Sequence, residues 1–233
     1  LIIFGSLKQG NKSLMSKSYL KQSKSLVESL KLQKGGLLET RLKFVIGNET
    51  SDMDSIFSSL LYGYLRNLFS QKQNEKSQYV PIIHSFSSDI HARFETMYLF
   101  KNLGLDIEDL VFLDSINLKD FVLENKPEII LVDHNLPSTN TSYLKDYVTE
   151  ILDHHEDRTA INYPQGQLQR KKIEKIGSTT TLVFEELWAS FDEVKQEVGT
   201  EVFWPLLSTI LTDTFNLNPK EKDVRWVEKD VWA

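Results

Sequence analysis

Leu42-Lys43-Phe44-Val45-Ile46-Gly47-Asn48-Glu49-Thr50-Ser51-Asp52-Met53-Asp54 is the stretch from which the rest of the chain can be read. Leu42 to Ile46 is an apolar run that only Lys43 interrupts, the length of a buried strand and closed by Gly47. A polar, acidic turn follows. From Asp54 to Phe69, Ile56, Leu60, Leu61, Tyr64, Leu65 and Leu68 recur at helical spacing. Strand, acidic turn and helix in succession form the opening unit of a parallel α/β sheet, where ligands sit beyond the carboxyl ends of the strands.

The pattern continues downstream. A polar loop, Ser70 to Ser77, leads to a strand at Tyr79–Ile83, a helix around His91–Leu103 and a short strand at Val111–Leu113. Ile129–Val132, behind Pro127, reads as a central strand and Val148–Leu152 as another. A polar segment through Pro164 precedes an edge strand at Lys171–Ile176, and helices follow near Thr179–Phe191 and Val202–Leu211. Alternating strands and helices predict an α/β fold, a mainly parallel sheet with helices on both faces. The charges of Arg170-Lys171-Lys172 suit an exposed edge strand, where they discourage pairing with other chains.

Upstream, residues 1–40 are rich in Ser and Lys, and Leu14, Leu20, Val27 and Leu30 form a loose apolar stripe. They predict a helical N-terminal extension lying on the domain, ended by Gly35-Gly36. A mitochondrial presequence is the alternative, ranked second because such segments are typically Arg-rich and this one carries Lys. The domain proper is expected over 41–233. The chain begins at Leu1 rather than Met, and is expected to be a segment of a longer protein.

Composition excludes several classes. Hydrophobic residues are 40% and charged residues 26%, as in ordinary globular proteins, and no apolar run approaches the roughly 18 residues of a membrane span. A net charge of −6 argues against a dedicated nucleic-acid binder. It is compatible with an anionic substrate if bound cations invert the local field. Cysteine is absent, which removes disulfides, thiolate metal sites and cysteine nucleophiles, and suits the cytoplasm.

Four groups of metal-type side chains follow apolar segments: Asn48 to Asp54 after the first strand, Asp133-His134 after Ile129–Val132, Asp153-His154-His155 after Val148–Leu152, and Asp213 after Leu206, Leu207, Ile210 and Leu211. Singly, each has an ordinary explanation. Asp54 is placed to cap its own helix, Asp153 to make a turn, and His154-His155 to face solvent. Together, in order and delivered to one sheet edge, they point to a metal centre. Carboxylates suit hard divalent ions and imidazole shifts the preference toward transition metals, so Mn²⁺ is expected, with Mg²⁺ or Co²⁺ as substitutes. Two such ions about 3.5–4 Å apart, sharing a carboxylate, can clamp an in-line displacement at phosphorus and activate water. No protein nucleophile is then required.

Gly47-Asn48-Glu49-Thr50-Ser51-Asp52-Met53-Asp54-Ser55, Leu131-Val132-Asp133-His134-Asn135, Leu152-Asp153-His154-His155 and Leu211-Thr212-Asp213-Thr214 resemble the four motifs of the DHH phosphoesterase superfamily. The first is most similar to fungal cytosolic exopolyphosphatases, with animal prune proteins as relatives and family II inorganic pyrophosphatases further away. The resemblance runs from about Arg41 to Val227. It implies that Asn48, Asp52 and Asp133 serve one metal, and Asp54, Asp133, His154 and Asp213 the other, with Asp133 bridging. His155 would lie against a substrate phosphate, and His134 in an outer or proton-handling position. Asp153 would support the DHH motif. Gly177-Ser178-Thr179-Thr180 resembles a family segment that opens a helix; its N–H groups are expected to cap that helix, with anion binding second.

The implied activity is release of phosphate from inorganic polyphosphate or another small phosphoanhydride, in a cytoplasmic protein without nucleic-acid or membrane partners. Pyrophosphatase and prune-like nucleotide phosphodiesterase are alternatives within catalysis. A poorly active metal-binding regulatory or interaction domain is the alternative of another class. Asn48 stands where pyrophosphatases carry histidine, which favours the exopolyphosphatase or prune branch over pyrophosphatase. The relatives' second domain, DHHA2, is expected to be missing, with a linking helix starting near Lys220. His84 and His91 are expected to be ordinary packing and surface residues, and Trp188, Trp204, Trp226 and Trp232 core or interdomain anchors.

Overall fold

The structure is a computed structural model that describes residues 17–32, 40–189, 198, 202–218 and 230. Leu14, Gly35-Gly36, the linker expected near Lys220, Trp226 and Trp232 lie outside these residues.

Strands β1 (Arg41–Ile46), β2 (Ser77–Ile82), β3 (Glu128–Val132), β4 (Val148–Asp153) and β5 (Arg170–Ile173) form one sheet in the order β2-β1-β3-β4-β5. Every neighbouring pair is parallel, with Phe44 opposite both Val80 and Ile129, and Leu152 opposite Lys172. The α/β architecture expected from the alternating runs is therefore present.

Alternation along the strands sorts side chains to two faces. Val45, Ile130, Val132 and Leu152 share one core cluster with Ile56, Phe57 and Leu60 of α2 (Met53–Lys72), Leu182 and Val183 of α5 (Thr179–Ala189), and Leu206 of α6 (Phe203–Asp213). Phe44, Ile46, Leu131 and Ile151 form the other cluster, with Phe121 and Val122 of α4 (Leu118–Asn125). Helix α1 (Lys17–Leu32) contributes to both: Tyr19 and Leu20 to the first cluster, Val27 and Leu30 to the second. The Tyr19 hydroxyl also donates to the Tyr79 carbonyl at 2.9 Å. Leu20, Val27 and Leu30 of the apolar stripe read in the sequence thus lie on the buried side of this helix.

Several expectations need correction. Val111–Leu113 is not a strand; one bridge, Ile83 to Phe112, is made before the chain turns at Leu113–Ser115. The helix expected from His91 begins at Phe94, as α3 (Phe94–Leu103). Helix α4 was not anticipated. Strand β5 stops at Ile173, and its charges have partners: Arg170 pairs with Glu150 and Glu186, Lys171 with Asp157, and Lys172 with Glu185. Trp188 and Trp204 are exposed rather than core residues. Among the described residues, no helix is long and apolar enough to cross a membrane.

Candidate metal centre

The strand order reverses direction between β1 and β3, since the chain goes from β1 outward to β2 and then crosses to β3 on the other side. A crevice opens at such a switch point beyond the strand ends. Asn48 leaves β1 there and Asp133 leaves β3, and the Asn48 amide donates to Asp133 Oδ2 at 2.6 Å. Asp133 is buried, with its backbone in the left-handed region at φ 62° and its N–H bonded to the Leu152 carbonyl at 2.9 Å. That conformation is uncommon for residues other than glycine, though Asp tolerates it better than most.

Asp52, not Asp54, caps α2: its Oδ1 accepts from Ser55 N at 2.9 Å. Asp54, in the first turn of that helix, reaches across the crevice to a different helix. Its carboxylate accepts from Ser178 Oγ, Thr179 N, Thr180 N and Thr180 Oγ1 at 2.8, 2.7, 2.8 and 2.6 Å. The Ser178–Thr180 segment does open α5, and the anion at that helix start is the protein's own Asp54. A carboxylate is favourable there because the first N–H groups of a helix lack intrahelical partners and carry partial positive charge.

The third group extends from β4. Buried Asp153 turns inward, and its Oδ1 accepts from His154 N, His155 N and His155 Nδ1 at 2.8, 3.2 and 2.8 Å. Burial would raise the Asp153 carboxyl, but the His155 bond and charge, together with Asn135, hold it below the usual range. His154 Nδ1 is bonded to the Ile176 carbonyl at 2.9 Å, so Nε2 faces the crevice, 3.3 Å from Asp133 Oδ1 and 3.9 Å from Asp54 Oδ2.

One pocket collects these side chains: Asn48, Asp52, Asp54, Asp133, His154, His155 and Asp213 all line it. Ligand atoms of Asp54, His154 and Asp213 lie within 4.8 Å of one another, as do those of Asp133, His154 and His155. Burial, reinforced by the Asp54 charge, pushes the Asp133 carboxyl up to about 8. Burial would lower the His154 imidazole, but the Asp133 hydrogen bond and the Asp54 and Asp133 charges override it and hold the ring up at about 10. A buried carboxylate and an imidazole that retain protons to this extent mark a site short of positive charge, and its donors fit a divalent ion.

Asn48 and Asp52 occupy the same pocket in a different way. The Asn48 Oδ1 accepts from Thr50 N at 2.9 Å and Ser51 N at 3.3 Å, while Thr50 Oγ1 donates to Asp52 Oδ2 at 3.0 Å. His134 does not line the pocket. Its Nδ1 is bonded to the Val132 carbonyl at 2.9 Å, and burial pushes its imidazole down to about 4. His84 is its neighbour, with ring centroids 6.3 Å apart, and is bonded to the Gly47 carbonyl at 3.0 Å.

A family model described as "DHH family, N-terminal domain" matches residues 43–210. The chain belongs to the DHH family. It is similar to human Exopolyphosphatase PRUNE1, 28% identical over 203 residues that make up 84% of this chain and 42% of that protein. A Schizosaccharomyces pombe protein named "Putative exopolyphosphatase" is 31% identical over 190 residues, 77% of this chain and 47% of that protein. A Lactobacillus acidophilus protein named "Probable manganese-dependent inorganic pyrophosphatase" is 26% identical over 179 residues, 75% of this chain and 48% of that protein. This DHH chain spans less than half the length of these relatives.

Sequence reasoning gave no role to Asn135 of this DHH chain. Its buried amide donates to Asp153 Oδ2 at 2.5 Å and to the Glu156 carbonyl at 2.9 Å. Its Oδ1 accepts from Arg158 N at 3.2 Å, and Tyr163 Oη donates to its carbonyl at 3.1 Å. Asn135 therefore holds the carboxylate that holds His155. The available signal was an amide directly after a strand-end Asp-His pair, facing a second acidic strand end.

Proposed function

We propose that this chain is the metal-holding domain of a phosphohydrolase that releases phosphate from inorganic polyphosphate. The observation that carries the reading is the convergence of Asp54, Asp133, His154 and Asp213, from four separate chain segments, on one pocket at the sheet's switch point.

Asp54, His154 and Asp213 would hold one divalent ion and Asp133 would be shared with a second, on the side of Asp52 and Asn48. Bound there, two ions, Mn²⁺ before Mg²⁺ or Co²⁺, would supply Lewis acidity at a phosphoryl oxygen and lower the pKa of water toward neutrality. The protein's own task is placement. Asp153 fixes the Nδ1–H edge of His155, which leaves Nε2 for a phosphoryl oxygen, and Asn135 keeps Asp153 in place. The Ile176 carbonyl sets the tautomer of His154, so that Nε2 is the donor atom. His134, kept neutral by burial, serves behind Asp133 rather than on substrate.

Phosphate release from long-chain polyphosphate, tripolyphosphate and pyrophosphate, with Mn²⁺ and with chelator, tests this. Release should require the metal and be fastest on polyphosphate; Asp133→Asn should reduce it to background. Asp153→Asn, which disturbs an outer partner, should cost about 10–100-fold. Wild-type rates in Asp133→Asn would reject the mechanism. Fastest turnover of pyrophosphate would establish the second reading, which the manganese-dependent pyrophosphatase relative favours. Tight Mn²⁺ binding with none of the three substrates turned over would leave a regulatory domain.

A further inference from the structure

The pocket brings together the carboxylates of Asp52, Asp54, Asp133, Glu156 and Asp213, and one lysine, Lys175. Two divalent ions would offset four of those five charges, and an arriving phosphoanhydride would add several negative charges of its own. A cation at the rim is therefore well matched to an anionic substrate, and Lys175 is exposed there.

The backbone that carries Lys175 is fixed on both sides, and it is fixed to the DHH motif. Glu174 N donates to the Asp153 carbonyl at 3.1 Å, and the Ile176 carbonyl accepts from His154 Nδ1 at 2.9 Å. One residue further, Gly177 N donates to Asp230 Oδ2 at 2.7 Å. No side chain fits at Gly177, where a Cβ would lie 2.4 Å from Asp230 Oδ2 and 2.5 Å from Thr214 Cγ2. Lys175 thus rides on a braced segment, tied to the DHH motif beside the pocket, with an exposed side chain.

We propose that Lys175 is a substrate-binding residue that contacts the phosphoryl group beyond the one being released, an anion subsite carried by this domain itself. The inference rests on the phosphohydrolase reading. Lysine suits the task because its ammonium is a point charge with three donors on a flexible stem, able to follow successive phosphates rather than clamp one. The competing explanation is that the ammonium only offsets the carboxylates around it.

The test uses the Mn²⁺-loaded chain and imidodiphosphate, a pyrophosphate analogue with a non-hydrolysable bridge. Calorimetry should show binding about fivefold to tenfold weaker in Lys175→Gln, the worth of one charge-assisted contact at a solvated rim, and within about threefold of wild type in Lys175→Arg. In turnover assays KM should rise more than kcat falls. If the ammonium only balances charge, Lys175→Gln will bind Mn²⁺ more tightly and imidodiphosphate as wild type does, and the proposal is overturned. Absence of imidodiphosphate binding to the wild-type protein overturns it as well. Lysine-dependent binding without turnover of any phosphoanhydride would instead reject the hydrolase reading and leave the subsite standing.

Discussion

Asp54, Asp133 and His154 are shielded from solvent, and each is tied to a helix start or a backbone group, whereas Asn48 and Asp52 sit on the turn after β1 and are joined through Thr50. Asp52 is exposed and Asn48 half-buried. The first group owes its geometry to three parts of the fold meeting; the second rests on a local turn, tied to them through the Asn48 amide on Asp133 and through the Asp52 cap of α2. Preorganised donors lose less freedom on binding, so the buried side should retain its ion and the loop side should exchange it.

The largest effect that would sharpen this contrast is expected from Asp54→Ala. It removes a donor and also leaves the first turn of α5 with buried N–H groups unsatisfied, a loss of about 2–3 kcal/mol in the metal-free chain. Urea unfolding with and without Mn²⁺ reads both effects: a lower midpoint without metal and a much smaller gain on adding it.

The dependence on pH comes next. In the metal-free protein Asp133 keeps a proton to about 8, against an ordinary value of 3.8, and His154 to about 10, against 6.5. The folded chain then binds more protons than the unfolded one from about 3.8, through Asp133, up to about 10, through His154, so its stability falls as pH rises through that window. Metal binding must displace those protons and is favoured in the same direction. The Mn²⁺-induced rise in Tm should therefore grow from pH 6.5 to 8.5. A rise independent of pH would mean that the ion does not replace those protons.

The smallest effect is expected on the loop side. Asp52→Ala loses the cap of α2, worth about 1 kcal/mol, and should lower activity in a way that excess Mn²⁺ partly restores. Equal damage from Asp52→Ala and Asp54→Ala, unrelieved by metal in both, would erase the distinction between the two sides.

The same division separates what was legible in the sequence from what was not. Leu42–Ile46, Ile129–Val132 and Val148–Leu152 announce themselves because buried parallel strands are continuous apolar runs, and the acidic residues at their ends follow from that placement. The partner of Asp54 was illegible. Ser178–Thr180 lies more than a hundred residues away, and only the packing of α5 against α2 brings it within reach. Val111–Leu113 looked like a strand because its composition is right, but Ser115 Oγ accepts the Phe112 N–H that a ladder would need. Helix α4 is short and was passed over, although Asn117, accepting from Asp120 N, is a start signal of the usual kind.

Asp133 sets folding and chemistry at odds. Glycine would adopt its left-handed backbone at no steric cost. The turn after β3 would form more readily with the very residue that strips the pocket of its shared carboxylate, and with it the acceptor of Asn48 and Thr179. A redesign scored on backbone geometry alone would drift toward the glycine and select the centre out of existence.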